Sequence, residues 1–200
     1  MILIDTKIES FEVYIESLSK PARKNYRFVK KWNADLDYYQ TPFIADEIEE
    51  WMKLWERQLI RGKNVTWAFG RGYLEESYRE GRLLVFAARK GEERIAMHFI
   101  EKRDGYWECH PPMYEKEKYS HRYLAKYMWF ELIKWSIEKG DMGFLDFGGG
   151  GEPDWREMII HRDEYPNPAY KWMYVPEKVK SNPNEQRRYT IENGKLGERV

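Results

Sequence analysis

The sequence predicts an α/β domain built around residues 81–151. Three segments rich in apolar residues and joined by short turns predict an antiparallel meander of strands. These segments are 83–88, 95–100 and 106–110. A helical segment, 120–139, follows and stops at Gly140. A fourth apolar segment, 144–147, then runs directly into four glycines. This order of elements predicts a cleft at the place where the last two strands part.

Composition limits the class of protein. A chain of 200 residues with 42% hydrophobic and 16% aromatic residues is long and apolar enough to fold as one domain with a core. A formal net charge of zero argues against a dedicated nucleic-acid binder. Cys109 is the only cysteine, so no intrachain disulfide forms, which fits a reducing compartment. Because the N-terminus turns acidic at Asp5 and no apolar run approaches about 20 residues, we expect a cytoplasmic protein without a membrane partner.

Two helices are predicted near the N-terminus. Residues 10–18 place their apolar residues on one face, and Ser19 caps a second helix over 22–32. The charges of that second helix are all basic: Arg23, Lys24, Arg27, Lys30 and Lys31. These side chains either form a solvated face or contact the phosphates of a ligand.

A strand and two further helices precede the meander. Residues 36–40 predict a strand that closes at Pro42, and residues 67–80 predict a helix interrupted by glycine. Between them lies the strongest periodic signal of the chain, an apolar stripe typical of a core helix. The stripe comprises Ile44, Ile48, Trp51, Met52, Trp55 and Leu59.

The start of the helix predicted over 120–139 combines a capping residue with cations. Ser120 is preceded by Lys116 and Lys118 and followed by His121 and Arg122. Free backbone N–H groups and positive charge at a helix start attract anions. The alternative is an ordinary serine cap beside solvated lysines.

The C-terminal part is predicted with fewer regular elements. Residues 152–160 predict a short helix and 170–175 a last strand. We assign residues 1–176 to a single domain and 177–200 to a polar tail. Within this tail, the Asn193-Gly194 dipeptide indicates a small hairpin, although its flanking residues alternate only weakly.

Several motifs match known enzymes only in part. Residues 145–151 are similar to the first nucleotide-binding turn of S-adenosylmethionine-dependent methyltransferases, but too few residues follow for that fold. Asp-Phe-Gly at 146–148 and His-Arg-Asp at 161–163 both occur in protein kinases, but there His-Arg-Asp comes first, so we do not predict a kinase. The spacing of Cys109 and the histidines matches no zinc pattern, so we predict no metal.

The order of the remaining segments resembles the GNAT acyltransferase superfamily, in particular its branch of Fem-type aminoacyltransferases, with a single acetyltransferase domain. The resemblance covers roughly residues 10–176. Its motifs are Tyr-x-x-x-Leu-Ser at 14–19 before a basic helix, a helix and glycine at 133–140, Asp-Phe-Gly-Gly at 146–149, and an aromatic-lysine pair at 170–171.

This resemblance implies a GNAT-like fold with a mixed, mostly antiparallel central sheet and helices on both faces. It also implies that the strands ending near His110 and Asp146 are parallel neighbours, with the donor's pantetheine arm between their splayed ends. The implied function is N-acyl transfer, with acetyl as the expected group, from acyl-CoA as cosubstrate to the amine of a small molecule or peptide.

Site residues follow from the same resemblance. The catalytic candidates are Glu108, His110 and Asp146. The donor's phosphates are expected at Lys118, Ser120, His121 and Arg122. The acceptor is expected at Gly148, Gly149, Gly150, Trp155, Arg162 and Lys171.

The chain departs from the family pattern in three ways. The usual pyrophosphate loop is replaced by 116–122, and neither the helical arm nor the second domain of aminoacyl-tRNA users is present. The last two departures favour an acyl thioester over aminoacyl-tRNA as donor. A GNAT-fold binding or scaffold protein without chemistry is the alternative, and the oligomeric state stays open.

Overall fold

The structure, a computed structural model, describes residues 3–59, 71–147, 189–192 and 195–198. These contain six α-helices: α1 (Phe11–Ser17), α2 (Lys20–Trp32), α3 (Ala45–Leu59), α4 (Arg71–Arg79), α5 (Lys116–Tyr119) and α6 (Leu124–Lys139). They also contain nine strands: β1 (Leu3–Asp5), β2 (Asp37–Thr41), β3 (Leu83–Lys90), β4 (Glu93–Lys102), β5 (Tyr106–Cys109), β6 (Met113–Tyr114), β7 (Phe144–Asp146), β8 (Tyr189–Glu192) and β9 (Lys195–Glu198). The predicted α/β class with mixed, mostly antiparallel strand pairing is confirmed.

The chain divides into two compact units. The first unit comprises Met1–Ala22, Lys102–Glu108 and Ile133–Val200, and the second comprises Arg23–Glu101 and Cys109–Leu132. None of the helices in the described ranges is both long and apolar enough to cross a bilayer.

In the first unit, β7 lies between β1 and β5. It pairs with β1 in antiparallel orientation and with β5 in parallel orientation, so the predicted parallel neighbours are confirmed. Leu145, at the centre of β7, is fully buried. The backbone N–H and the hydroxyl of Thr6 both donate to the carbonyl of Gly143 at 2.8 Å, which holds the chain after β1 beside the start of β7.

In the second unit, β3 pairs in antiparallel orientation with β2 on one side and β4 on the other. The loop between β3 and β4 has two residues, and its first, Gly91, has a φ of 58° that suits a tight hairpin. Successive strand residues point to opposite faces, and helices cover both. Val85 and Phe99 pack against α3 and α4, whereas Ala88 and Ala96 pack against α2 and α6.

Two predicted boundaries are wrong. The helix does not begin at Ser120: α5 is followed by a 3-10 turn, Ser120–Arg122, then by Tyr123 with a φ of 54°, and α6 starts at Leu124. The carbonyl of Arg122 accepts a hydrogen bond at 2.8 Å from the Asn33 side chain, which fixes this break. Ile44 precedes α3 and is 50% exposed, so it does not belong to the buried stripe.

Other predicted elements have different outcomes. The hairpin at Asn193-Gly194 is present as β8 and β9, with Glu192 opposite Lys195. The short strands β1 and β6 were not predicted from the sequence. The predicted helix at 152–160 and strand at 170–175 lie outside the described residues.

A buried histidine lies in the sheet of the second unit. His98 is fully buried in β4, where its Nε2 shares a hydrogen bond of 2.5 Å with the hydroxyl of Tyr38. The rings of Phe86 and Trp129 lie within 5.7 Å of the imidazole, centroid to centroid. Burial lowers the pKa of His98 from 6.5 to about 3, with a smaller contribution from His110.

This burial predicts a loss of stability in acid. Between pH 6.5 and pH 3 the unfolded state binds a proton at His98 that the folded state does not. Acidification through this window therefore lowers the free energy of unfolding by up to about 1.4 kcal/mol per pH unit, and the contribution is fully present above pH 6.5. In His98→Phe the pH-dependent part of the free energy of unfolding that comes from His98 is missing. Urea unfolding of wild type and variant at several pH values measures this difference.

The matched control is His121→Phe, which removes an exposed histidine and should keep the wild-type pH dependence. If wild type and His98→Phe lose stability in parallel between pH 6.5 and pH 4, the account of His98 is wrong.

Candidate active site

The two predicted catalytic carboxylates lie side by side in the first unit. Glu108 in β5 and Asp146 in β7 are register partners of the parallel pair, so their side chains leave the same face of the sheet. Asp146 is buried, and Glu108 is half-buried. Both carboxylates contribute, after burial itself, to a raised pKa of the neighbouring Tyr106.

Glu108 is held by an arginine. The Nε and Nη2 atoms of Arg103 each lie 2.7 Å from Oε2 of Glu108. Arg103 and Tyr106 flank the tight turn before β5, which the backbone N–H of Arg103 closes by donating to the carbonyl of Tyr106. These two contacts to one oxygen of Glu108 fix the position of its carboxylate.

The third predicted catalytic residue, His110, lies in the second unit beside a carboxylate that was not predicted. Its Nε2 is 3.9 Å from Oε2 of Glu101, and both side chains are buried. The backbone N–H of His110 donates to the carbonyl of Phe99 at 3.0 Å, and the two rings pack with centroids 4.6 Å apart. These contacts fix the orientation of the imidazole.

Glu101 is fully buried and is surrounded by donors. Its Oε1 accepts hydrogen bonds from the hydroxyl of Tyr73, the hydroxyl of Ser77 at 3.2 Å and Nη1 of Arg82 at 3.2 Å. A buried carboxylate is tolerated only when it is paired and hydrogen-bonded. An imidazole beside such a carboxylate has the arrangement of an oriented general base.

Sequence reasoning missed Glu101 because it ends an apolar strand segment and resembles an ordinary polar boundary residue. The available signal was that Glu101 directly continues the apolar run 95–100. All residues of that run are buried in the structure.

The residues predicted to bind the donor's phosphates lie in or next to the 3-10 turn of the second unit. Arg122 forms a two-point ion pair with Asp35, at 2.6 and 3.1 Å, which lowers the pKa of Asp35 to about 2. Lys118 lies 2.8 Å from Glu93, and this hydrogen bond raises the pKa of the lysine. His121 is exposed, with its ring 6.4 Å from that of Trp32.

The predicted acceptor residues are not placed by the structure. Gly148, Gly149, Gly150, Trp155, Arg162 and Lys171 all lie outside the described residues. Of Ser120, the structure describes the backbone.

Comparison with known proteins identifies the family. A family model described as an acetyltransferase (GNAT) domain matches residues 20–157, and the chain belongs to this family. No curated protein matches the sequence.

Similarity to the solved structure of FemX shows the fold, and two further structures are similar at lower TM-scores. The crystal structure of FemX is similar with a TM-score of 0.57 and 10% identity, over 76% of this chain and 54% of FemX, so the chain spans about half the length of that protein. L-PGS from Bacillus licheniformis is similar with a TM-score of 0.47 and 18% identity, over 74% of this chain and 45% of L-PGS. An aminoglycoside acetyltransferase from an uncultured soil metagenomic sample, in complex with sisomicin, has a TM-score of 0.44 and 12% identity, over 58% of this chain and 80% of its own.

The burial of Glu101 predicts a large cost for removing its charge. Glu101→Gln keeps the volume but places an amide N–H₂ group among donors, so we expect a loss of about 1–3 kcal/mol in the free energy of unfolding. Glu80→Gln is the control, since Glu80 also pairs with Arg82, at 2.6 Å, but is 50% exposed. Its loss should stay below about 1 kcal/mol. Urea unfolding measures both, and equal losses would contradict a structural role for the buried carboxylate.

Proposed function

We propose that the protein is an N-acyltransferase that moves an acyl group, with acetyl expected, from acyl-CoA to the amine of a small molecule or peptide. The observation that carries the proposal is the match to the acetyltransferase (GNAT) domain over residues 20–157. The parallel pair of β5 and β7 in an otherwise antiparallel setting supports it, because the family resemblance implies a donor between two such strands.

The reaction needs a base and an oriented amine. A protonated amine loses a proton to a base, and its nitrogen then bonds to the thioester carbon. The bond from that carbon to sulfur breaks, and the second proton lost by the nitrogen goes to the departing sulfur, which gives an amide and the thiol of CoA. We assign the proton acceptance to His110, because its imidazole is oriented by Phe99 and lies beside the buried carboxylate of Glu101. General-base catalysis of this kind contributes typically about 10²–10⁴-fold.

The two carboxylates of the first unit receive orienting roles in this proposal. Asp146 is buried at the end of β7, two residues before the first glycine of the run, and is assigned to the ammonium form of the acceptor. Glu108 is assigned to positioning, because Arg103 occupies one of its oxygens. The acceptor itself is assigned to Gly148, Gly149, Gly150, Trp155, Arg162 and Lys171.

The phosphates of CoA are assigned to Lys118, Ser120, His121 and Arg122. The chemistry of the side chains fits, since they supply two permanent cations and an exposed imidazole. Each cation already contacts one carboxylate at the surface, Glu93 or Asp35, so a phosphate must share it or displace that partner. The exposed pair of Lys118 with Glu93 is weak, typically below about 1 kcal/mol, so its exchange is inexpensive. The two-point pair of Arg122 with Asp35 is stronger, so a phosphate is expected to share Arg122 with Asp35.

Titration calorimetry with acetyl-CoA tests the donor assignment. Arg122→Ala removes a cation from the proposed phosphate site and should weaken binding by about 5- to 150-fold. Arg89→Ala is the matched control, since Arg89 is also an arginine of the second unit in a partly exposed ion pair, with Asp37. Its affinity should equal that of wild type.

Equal affinities of Arg122→Ala and wild type would remove this phosphate site. Absence of acetyl-CoA binding to wild type would overturn the donor assignment itself, and binding without any transfer to amines would favour the scaffold alternative.

A further inference from the structure

Helix α2 carries rings and cations on one exposed face. Lys24, Arg27, Phe28, Lys31 and Trp32 recur at i, i+3, i+4, i+7 and i+8, so they form a single row, here called the aromatic–basic stripe. All five are exposed, whereas Val29 and Asn33 on the opposite face are buried.

The stripe exposes large apolar surface and continues onto a third ring. Phe28 is 43% and Trp32 46% exposed, and Tyr123 beside them is 45% exposed. The ring centroids of Trp32 and Tyr123 each lie 5.6 Å from that of Phe28. Three of the five exposed large hydrophobic residues in the described ranges therefore meet at one place.

Tyr123 is held there by an uncommon backbone conformation. Its φ of 54° is the only positive value outside glycine in the described residues. Such a conformation costs of order 1–3 kcal/mol and clusters at functional sites. Lys126 lies over the ring, with Nζ 5.1 Å from its centroid, so the third ring is also accompanied by a cation.

The cations of the stripe are not neutralised locally. No acidic residue occurs in α2, and Lys24, Arg27 and Lys31 form no ion pair with another residue of the described ranges. The nearby carboxylate of Asp35 is already shared by Arg122 and Lys90. Although the formal net charge of the chain is zero, this face is positive.

We propose that the aromatic–basic stripe, together with Tyr123, binds single-stranded nucleic acid, with bases stacked on the rings and phosphates on the cations. Interleaved rings and cations are the combination that sequence-tolerant binders of single strands use. From Lys24 to Trp32 the helix advances about 12 Å, the length of about three to four stacked nucleotides. The proposal does not rest on the proposed acyl transfer, although the ring of Trp32 lies 6.4 Å from that of His121, so the stripe borders the proposed phosphate site.

The arrangement argues against three other partners. A single nucleotide offers one base, which does not cover three rings. A bilayer surface favours a helix whose apolar and basic residues form separate faces, whereas here they alternate within one row. A duplex keeps its bases stacked on one another and leaves the rings exposed.

Fluorescence anisotropy with a labelled 12-nucleotide single-stranded RNA tests the proposal. Wild type should bind, and its affinity should fall steeply with salt because phosphate contacts release counterions. Trp32→Ala should weaken binding by about 5- to 150-fold, the range for losing one stacked base. Tyr78→Ala is the matched control, since Tyr78 is 38% exposed and packs on Phe43 in another part of the second unit. It should bind as wild type does.

A second pair of variants tests the charges. The triple change of Lys24, Arg27 and Lys31 to glutamine should reduce both affinity and salt dependence. The control changes the exposed lysines 7, 102 and 139 to glutamine, which alters the net charge equally. It should leave both the affinity for RNA and its salt dependence unchanged. Circular dichroism confirms that each variant is folded.

Four outcomes would overturn the proposal: no binding at low salt, equal affinity for duplex RNA, equal loss in both triple variants, or Trp32-dependent binding of phosphatidylglycerol vesicles without binding of RNA. A loss of CoA affinity in Trp32→Ala as large as its loss of RNA affinity would do so as well, since it would make the stripe a site for one nucleotide.

Discussion

The parallel pairing of β5 with β7 is the constraint on which the proposed chemistry of the first unit depends. The other strand pairs within each unit of the described residues are antiparallel. The parallel pair aligns Glu108 with Asp146. A parallel pair needs a long crossover connection, here residues 110–143, which include α6. A slip of β7 by one residue would turn Asp146 to the face opposite that of Glu108, so the buried Leu145 and the antiparallel partner β1 also fix the position of the site.

The second unit depends on a buried polar cluster. Glu101 lies at the end of β4 without exposure, and donors from α4 and the start of β3 surround it. The three hydrogen bonds to Oε1 of Glu101 restrain its surroundings, because a movement that broke them would leave a buried carboxylate oxygen without its donors. His110 beside it therefore has a fixed position, which is what a general base requires.

Long elements could be predicted from the sequence, whereas contacts between distant residues could not. The apolar runs of β3 and β4 and the apolar stripe of α3 predicted these elements within a few residues. The strands β1 and β6 were missed because three and two residues establish no periodicity. The break before α6 was missed because it depends on a hydrogen bond between Asn33 and the carbonyl of Arg122, 89 residues apart.

The same difference applies to the candidate site. The parallel pairing of the strands that end near His110 and Asp146 followed from the resemblance to a known family and is present as β5 and β7. The register that puts Glu108 beside Asp146 was not predicted. Asp35, the partner of Arg122, lies 87 residues away in the chain, and no local pattern indicates it. Glu101 is close to His110 in sequence, but its burial and its donors from α4 are not visible in a local pattern. The glycine run and the acceptor residues keep the standing of predictions.

Release of CoA thiol from acetyl-CoA, measured with a panel of amines for wild type and His110→Gln, tests the account most directly. We expect amine-dependent release by wild type, and a loss of about 10²–10⁴-fold in rate for the variant with its affinity for acetyl-CoA and its melting temperature retained. Wild-type rates in the variant would contradict the role of His110, and absence of amine-dependent release from wild type at saturating acetyl-CoA would contradict acyl transfer.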